Sequence, residues 1–300
     1  MTTAPTATFG RVLTAMVTPF TADGSLDLDG ARKLAKHLTA VGGNDGLVIA
    51  GTTGESPTLT HDEQISLVEA VVDAVDVPVI AGAGSNDTKA AVELTDRCTG
   101  AGAAGILHVA GYYNRPSQAG LYEHFRACAE ATDKPVLLYD IPGRTGRKIE
   151  TNTMIDLFTN VDNIIGVKDA AGSPGETARL LRGAPEGTEV YSGDDGLTLP
   201  LLAIGAVGTI GVATHWVGNE TRDMVNAFFS GDVVRATSLN RLMMPSYEFE
   251  TGDEAPNPIP SKAMMRVLGL PGGPTRMPMG PEPDWVESEA KTVLAGLGRA

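Results

Sequence analysis

The stretch IIGVKD at residues 164–169 decides how this chain is interpreted, because a lysine ends a run of apolar residues. Such a run is typical of a strand that is covered on both faces, as in a parallel sheet. A lysine is rarely buried unless it is paired or used in chemistry. Lys168 therefore either reaches solvent or pairs with Asp169, or it is an uncharged amine nucleophile with a lowered pKa. The stretch alone favours the first interpretation.

The rest of the chain repeats a short apolar strand followed by a helix. Seven further strands are predicted, at residues 11–17, 46–50, 77–81, 104–109, 134–139, 189–192 and 208–212. Strands that alternate with helices through short loops indicate parallel βα units. Eight such units predict an α/β fold, a (β/α)8 TIM barrel, and a doubly wound open sheet is the structural alternative.

A helical extension is predicted after the last strand. The final barrel helix is expected at residues 218–230, and three more helices are expected at 232–247, 260–268 and 284–298. Leucine, methionine or valine recurs at helical spacing in each of the three, which argues against disorder. We expect a catalytic barrel at residues 1–232 and a C-terminal helical appendage at residues 233–300.

Composition and charge exclude several classes of partner. The formal net charge of -14 argues against nucleic acid and against anionic membrane surfaces. The two cysteines, Cys98 and Cys128, make neither a disulfide framework nor a zinc pattern, which favours a reducing compartment. Residues 1–9 lack the basic region and apolar core of a signal peptide, and no apolar run is as long as a membrane span. We therefore expect a cytoplasmic protein.

Reactive side chains are concentrated at the predicted carboxyl ends of the strands, where TIM barrels carry their active sites. They are Thr52 and Thr53 after strand 2, Tyr112 and Tyr113 after strand 4, Tyr139 and Arg144 at strand 5, and Lys168 at strand 6. No strand end offers a histidine pair or a carboxylate cluster with metal spacing, so we expect neither a metal nor a cofactor. Each of these residues alone has an ordinary structural explanation, but four loops that deliver compatible groups to one face favour chemistry.

An amine beside hydroxyl groups suits Schiff-base chemistry. A neutral Lys168 would attack the keto carbon of a 2-oxo acid, and Tyr139 is placed to move the protons that loss of water requires. The backbone of residues 51–56, with Thr52 and Thr53, could hold the substrate carboxylate. The enamine that follows is a carbon nucleophile able to attack an aldehyde.

Four motifs carry a resemblance to a known family. They are GTTGES at 51–56, YYNRP at 112–116, YDIPGRT at 139–145 and GVKD at 166–169. From about Gly10 through the C-terminal helices, the chain resembles the dihydrodipicolinate synthase (4-hydroxy-tetrahydrodipicolinate synthase) family. These enzymes are pyruvate-dependent class I aldolases related to N-acetylneuraminate lyase. Arg144, after Pro142 and Gly143, favours the synthases over the lyases.

The resemblance implies a role for each of the catalytic residues. Lys168 would form a Schiff base with pyruvate. Tyr139, Thr52 and Tyr113 would form a proton relay, with Tyr113 reaching in from a neighbouring subunit. The family's members are commonly homotetramers built from tight dimers, so a homotetramer is implied here.

The resemblance also implies how the substrates bind. Thr53 would bind the pyruvate carboxylate, and the backbone of Ile210 would line the pocket. Arg144 would receive the carboxylate of L-aspartate 4-semialdehyde. The implied activity is that of a lyase in the diaminopimelate and lysine biosynthesis pathway.

Two other functions are weighed against this one. The first is another aldolase of the superfamily that uses the same Schiff base with a different aldehyde, and Arg144 argues against it. The second is a barrel that binds a metabolite without turnover, and the complete set Lys168, Tyr139, Thr52 and Tyr113 argues against that.

Lysine is predicted to inhibit this chain weakly or not at all. In the regulated members of the family that the chain resembles, lysine binds near the dimer interface, and Ser56, His61, Asn86 and Tyr112 match that site. Gln64 replaces a histidine of the regulated pattern, and Ala90 replaces the acidic residue that would bind the lysine ammonium. Loss of that carboxylate removes roughly 1.5–3 kcal/mol of binding, about tenfold or more. Titration of activity with lysine tests this, and strong inhibition below millimolar lysine would contradict it.

Overall fold

A closed barrel of eight parallel strands forms the centre of the molecule, as the sequence predicts. The computed structural model describes residues 5–299, so the first four residues of the 1–9 stretch, on which the signal-peptide expectation rests, lie outside the described residues. The strands follow one another in chain order around the barrel, and the eighth pairs with the first. They are β1 (Val12–Ala15), β2 (Gly46–Ile49), β3 (Val79–Gly82), β4 (Gly105–Val109), β5 (Val136–Asp140), β6 (Ile164–Asp169), β7 (Glu189–Ser192) and β8 (Gly208–Gly211). The alternative of an open sheet is therefore wrong.

Helices surround the barrel and continue beyond it. They are α1 (Leu28–Ala40), α2 (His61–Val72), α3 (Thr88–Gly100), α4 (Gln118–Ala129), α5 (Pro142–Thr145), α6 (Thr151–Asn160), α7 (Pro174–Gly183), α8 (Thr198–Ala203), α9 (Thr214–Phe229), α10 (Val233–Phe249), α11 (Ile259–Val267) and α12 (Val286–Gly296). The last three confirm the C-terminal helical extension. Whether the chain divides into domains at residues 232 and 233 stays a prediction.

Two helices differ from the sequence-based expectation. The loop after β5 contains the short helix α5, which starts at Pro142 and ends before Gly146 in the left-handed region at φ 71°. Proline favours the first position of a helix, and glycine favours the position after the last, so the local sequence explains this short helix. Helix α9 begins at Thr214 rather than at residue 218, and non-helical Val217 marks a kink inside it.

The apolar runs of the strands are buried on both faces. Toward the barrel axis, side chains such as Leu13, Val48 and Ile80 form one cluster, and Tyr139 belongs to it. Toward the helices, a second and larger cluster joins strands to all of these helices except the short α5. This double burial explains why the strands have continuous apolar runs rather than alternation. Within residues 5–299, no helix combines the length and the apolarity that crossing a bilayer requires.

A buried ion pair connects the C-terminal extension to the barrel. Lys262 in α11 is completely buried, and its Nζ lies 2.5 Å from Oε1 of Glu55, which follows β2. The same Nζ donates to the carbonyl oxygen of Pro274 at 2.7 Å. The backbone N–H of Arg276 donates to Oε2 of Glu55 at 2.8 Å. The extension therefore holds the loop that carries Thr52 and Thr53.

Replacing Lys262 by methionine should destabilise the fold, because the Glu55 carboxylate would stay buried without its cation. Breaking one side of a buried pair costs about 3–5 kcal/mol. The double variant Lys262→Met with Glu55→Gln should recover part of that loss, because no uncompensated charge remains. Urea unfolding of the wild type and the two variants checks this. Equal midpoints for wild type and Lys262→Met would contradict it.

Candidate active site

A cavity of about 440 Å³ opens at the carboxyl ends of the strands. Five of the seven residues expected in the site line it: Lys168, Tyr139, Thr52, Thr53 and Arg144. The wall opposite the barrel is formed by residues 250–253 and by Pro256 and Asn257, which follow α10. The cavity is thus closed partly by the C-terminal extension.

Lys168 lies at the end of β6 and faces this cavity. Its side chain is only 4% exposed, and its Nζ lies 4.5 Å from the centre of the Tyr139 ring. The two residues are paired in the register of β5 and β6, which explains their proximity. Solvent exposure is thereby excluded for Lys168. Asp169 is engaged elsewhere, because its carboxylate accepts hydrogen bonds from the Thr177 hydroxyl at 2.5 Å and from the Ala171 N–H at 3.0 Å.

Burial changes the protonation of the Lys168 amine. Desolvation lowers its pKa from 10.5 to about 8, since an ammonium loses its hydration in the protein interior. The carboxyl groups of Asp195 and Glu250 oppose this shift, and the Arg144 guanidinium adds to it. Gly193 gives the side chain its room, because a Cβ there would lie 2.9 Å from Cγ of Lys168. A substantial fraction of the amine is therefore neutral and nucleophilic near pH 8.

Tyr139 is a buried phenol beside that amine. Burial raises its pKa to about 12, while Arg144 and the Thr52 hydroxyl act in the opposite direction. The phenol therefore keeps its proton at neutral pH and is available as a donor. Because the ring lies next to Lys168 Nζ, it can pass a proton to or from groups that form on that nitrogen.

Asn257 organises the opposite side of the cavity. Its side-chain N–H donates to the Thr53 hydroxyl at 2.9 Å. Its carbonyl oxygen accepts from the Arg144 guanidinium at 3.4 Å. Thr53 is buried, whereas Arg144 is exposed at the mouth. One residue of the extension thus contacts two of the predicted substrate-binding side chains.

Tyr113 and Ile210 are not among the residues that line the cavity in the described chain. Tyr113 is 90% exposed and has a left-handed backbone with φ 70°. The Tyr113 phenol therefore lies outside the cavity of its own chain. Ile210 is fully buried inside the barrel, and Val212, two residues later, lines the cavity.

Three residues of the site were missed by the sequence interpretation. Asp195 and Glu250 are buried carboxyl groups that act on Lys168, and Asn257 is described above. The pair Asp194 and Asp195 directly after a barrel strand was a usable signal for one of them. Glu250 and Asn257 lie after the barrel is complete, and nothing in their spacing places them at its mouth.

Some of the positions that match the family's lysine site contact one another through hydrogen bonds. The Asn86 side-chain N–H donates to the carbonyl oxygen of Tyr112 at 3.4 Å, and the Gln64 side chain donates to the carbonyl oxygen of Ser56 at 3.1 Å. The Gln64 side chain is therefore buried, and its amide already donates a hydrogen bond within its own chain. Weak or absent lysine inhibition stays a prediction.

Residues 8–296 match the profile of the dihydrodipicolinate synthetase family. The chain is 51% identical over 275 residues to 4-hydroxy-tetrahydrodipicolinate synthase of Moorella thermoacetica, covering 90% of this chain and 92% of the relative. It is 53% identical over 277 residues to the enzyme of the same name from Acidothermus cellulolyticus, with 91% and 87% covered.

Solved structures with the same fold include two synthases. The synthase of Cyanidioschyzon merolae with lysine bound superposes with a TM-score of 0.94 at 42% identity, covering 97% of this chain and 99% of that one. Dihydrodipicolinate synthase DapA-2 of Bacillus anthracis superposes with a TM-score of 0.92 at 40% identity and the same coverages.

Among the described residues 5–299, no group of three or more histidine, cysteine, aspartate or glutamate side chains is placed to hold a metal ion.

Proposed function

The chain belongs to the dihydrodipicolinate synthetase family, and we propose that it condenses pyruvate with L-aspartate 4-semialdehyde. It has the activity of a 4-hydroxy-tetrahydrodipicolinate synthase, a lyase of lysine and diaminopimelate biosynthesis. The observation that carries the assignment of its site is the desolvated amine of Lys168, which faces a cavity next to a protonated phenol.

Lys168 is the nucleophile in this proposal. Its neutral amine attacks the keto carbon of pyruvate, and the resulting carbinolamine loses water to form an imine. The hydroxyl that leaves must take up a proton, and the Tyr139 phenol lies beside the nitrogen where this happens. Thr52, which also lines the cavity, continues the relay from Tyr139.

The second half of the reaction uses the mouth of the cavity. Loss of a methyl proton gives an enamine, whose carbon attacks the aldehyde of the second substrate. The Arg144 guanidinium offers a planar pair of donors for the carboxylate of that substrate. Attack of the substrate amine on the imine carbon then closes the ring and releases Lys168. Thr53 and the backbone of Ile210 are assigned to the pyruvate end.

Lys168→Ala should abolish both turnover and the covalent adduct. Wild type incubated with pyruvate and borohydride should gain one reduced pyruvate group per chain, located at Lys168 by mass spectrometry. Lys262 is a matched control inside the same protein, because it is equally buried but faces Glu55 rather than the cavity.

Tyr139→Phe should still fold and should lose about a hundredfold or more of its rate.

Three outcomes would overturn this assignment. An unmodified Lys168 after borohydride reduction would reject every Schiff-base mechanism. An adduct without turnover of L-aspartate 4-semialdehyde would indicate an aldolase with another aldehyde substrate. An adduct at Lys262 would show that burial alone, rather than access from the cavity, selects the lysine.

We also propose that the active form is an oligomer in which Tyr113 completes the relay of a neighbouring subunit. Its 90% exposure supports this, since a phenol outside its own cavity has no proton-transfer role there. A homotetramer built from dimers is the family's common assembly and is proposed here.

The two buried cysteines remain unpaired thiols, which supports a cytoplasmic location.

Mixing two inactive variants should restore activity if Tyr113 acts between subunits. Tyr113→Phe lacks the phenol and Lys168→Ala lacks the amine, so each homo-oligomer should be nearly inactive. After the two are unfolded and refolded together, a mixed dimer has one site with both groups. Recovery of part of the wild-type rate is expected, and each variant refolded alone is the control. Absence of recovery in a mixed oligomer shown by native mass spectrometry would contradict the proposal.

A further inference from the structure

Asn257 has a place at the cavity that the mechanism above does not use. It precedes α11 and lines the cavity together with Thr53 and Arg144. Its side-chain amide N–H donates to the Thr53 hydroxyl at 2.9 Å, and its backbone carbonyl oxygen accepts from the Arg144 guanidinium at 3.4 Å. The side chain of Asn257 thus contacts the proposed pyruvate end of the cavity, and its backbone contacts the mouth.

Helix α11 holds the Asn257 amide in one orientation. The fully buried Ser261 hydroxyl, in the first turn of that helix, donates to the amide oxygen of Asn257 at 3.1 Å. The next residue, Lys262, forms the buried ion pair with Glu55, which lies two residues after Thr53. Two adjacent residues of α11 therefore connect to one loop of the barrel, one through Asn257 and the other directly. This double connection keeps the amide N–H directed at the Thr53 hydroxyl.

The Thr53 hydroxyl carries a single proton, and its bond with Asn257 determines where that proton points. A hydroxyl donates one hydrogen bond and can accept two. Thr53 accepts from Asn257, and within residues 5–299 its own proton has no protein acceptor. Thr53 is only 3% exposed and lines the cavity, so its proton is available to a group that enters the cavity. That group must be an acceptor, as an ionised carboxylate is.

We propose that Asn257 is a positioning residue, which fixes the Thr53 hydroxyl as a donor toward the carboxylate of the 2-oxo acid. If the Asn257 amide were turned round, its oxygen would accept the Thr53 proton, and lone pairs of Thr53 would face the substrate carboxylate. Such a contact repels an anion, whereas a hydrogen bond donated to a carboxylate is among the stronger ones. Donation therefore runs in one direction, from Ser261 through Asn257 and Thr53 to the substrate.

The inference deepens the proposed function and rests on it, because Thr53 is assigned there to the pyruvate end. It implies selection of a 2-oxo acid over the corresponding neutral amide, whose N–H groups would face the Thr53 proton. Loss of the Asn257 side chain should weaken the capture of pyruvate more than the steps that follow. The Arg144 contact uses the backbone carbonyl of Asn257, which every substitution keeps. Binding of the second substrate should therefore be spared.

The test measures capture of pyruvate on Lys168, trapped by borohydride, as a function of pyruvate concentration in the full-length protein. Asn257→Ala removes the amide donor, and Asn257→Asp replaces it by a carboxylate that only accepts. Asn240→Ala is the matched control, because Asn240 is also a half-buried asparagine of the extension but does not line the cavity. Pyruvamide is the neutral probe, and kcat and KM for both substrates are measured in parallel turnover assays.

The pyruvate concentration for half-maximal capture should rise about tenfold in Asn257→Ala, and further in Asn257→Asp, whose new carboxylate also repels the substrate. The preference for pyruvate over pyruvamide should fall in both variants, and most in Asn257→Asp. KM for L-aspartate 4-semialdehyde should stay near the wild-type value, and Asn240→Ala should behave as wild type. On a Thr53→Val background, which has no hydroxyl to orient, Asn257→Ala should cause no further rise.

Three results would overturn the proposal. A wild-type dependence on pyruvate in Asn257→Asp would show that the amide does not direct the Thr53 proton. An equal effect of Asn257→Ala with and without the Thr53 hydroxyl would mean that Asn257 acts on the substrate itself. An equal rise in KM for both substrates would indicate only a displaced cavity wall.

Ser261→Ala decides the question if the Asn257 variants do not fold, because it keeps the amide but frees it to turn. Its pyruvate requirement should rise about threefold, and a wild-type value would contradict the proposal. Failure of the proposed function would look different, because wild type would then form no adduct on Lys168 at all.

Discussion

The free-energy cost of burying a charged amine is the constraint on which this site depends. Lys168 lies at the carboxyl end of a strand that is packed on both faces, and its side chain is only 4% exposed, so its ammonium is largely removed from water. Desolvation outweighs the attraction of the neighbouring carboxyl groups, and the pKa falls to about 8. The result is an amine that still carries a proton part of the time. That partial protonation suits the role proposed for Lys168, which is a nucleophile first and a cation afterwards.

A second buried lysine shows why the pKa alone does not identify the nucleophile. Burial also lowers the pKa of Lys262 to about 8. Its Nζ, however, contacts Glu55 and the carbonyl oxygen of Pro274, so it serves a structural ion pair. Lys168 differs because its amine faces a cavity large enough for small substrates. A buried lysine is expected either to form an ion pair or to take part in chemistry. Lys262 is an example of the first, and Lys168 is proposed as an example of the second.

The barrel and most of the side chains proposed to be catalytic were predictable because their positions follow from local sequence pattern. Short apolar runs located the strands, and the carboxyl end of each strand located Thr52, Tyr139 and Lys168. The short helix that presents Arg144 was missed, although proline and glycine mark its ends. Glu250 was unpredictable in principle from such patterns. Its position depends on how α10 folds back over the barrel, which is a tertiary contact without periodicity.

The C-terminal extension forms part of the candidate active site, because it lines the cavity together with residues of the barrel. Asn257 hydrogen-bonds to Thr53 and contacts Arg144, while Glu250 lines the same cavity as Lys168. The pair of Lys262 and Glu55 holds the loop from which Thr52 and Thr53 project. Each of these contacts joins a residue after 249 to one before 196. The domain boundary at residues 232 and 233 stays a prediction, and the cavity is lined by residues from both sides of it. In the proposed mechanism the barrel supplies the amine and its relay, while the extension supplies the opposite wall of the cavity and Asn257, which contacts Thr53 and Arg144.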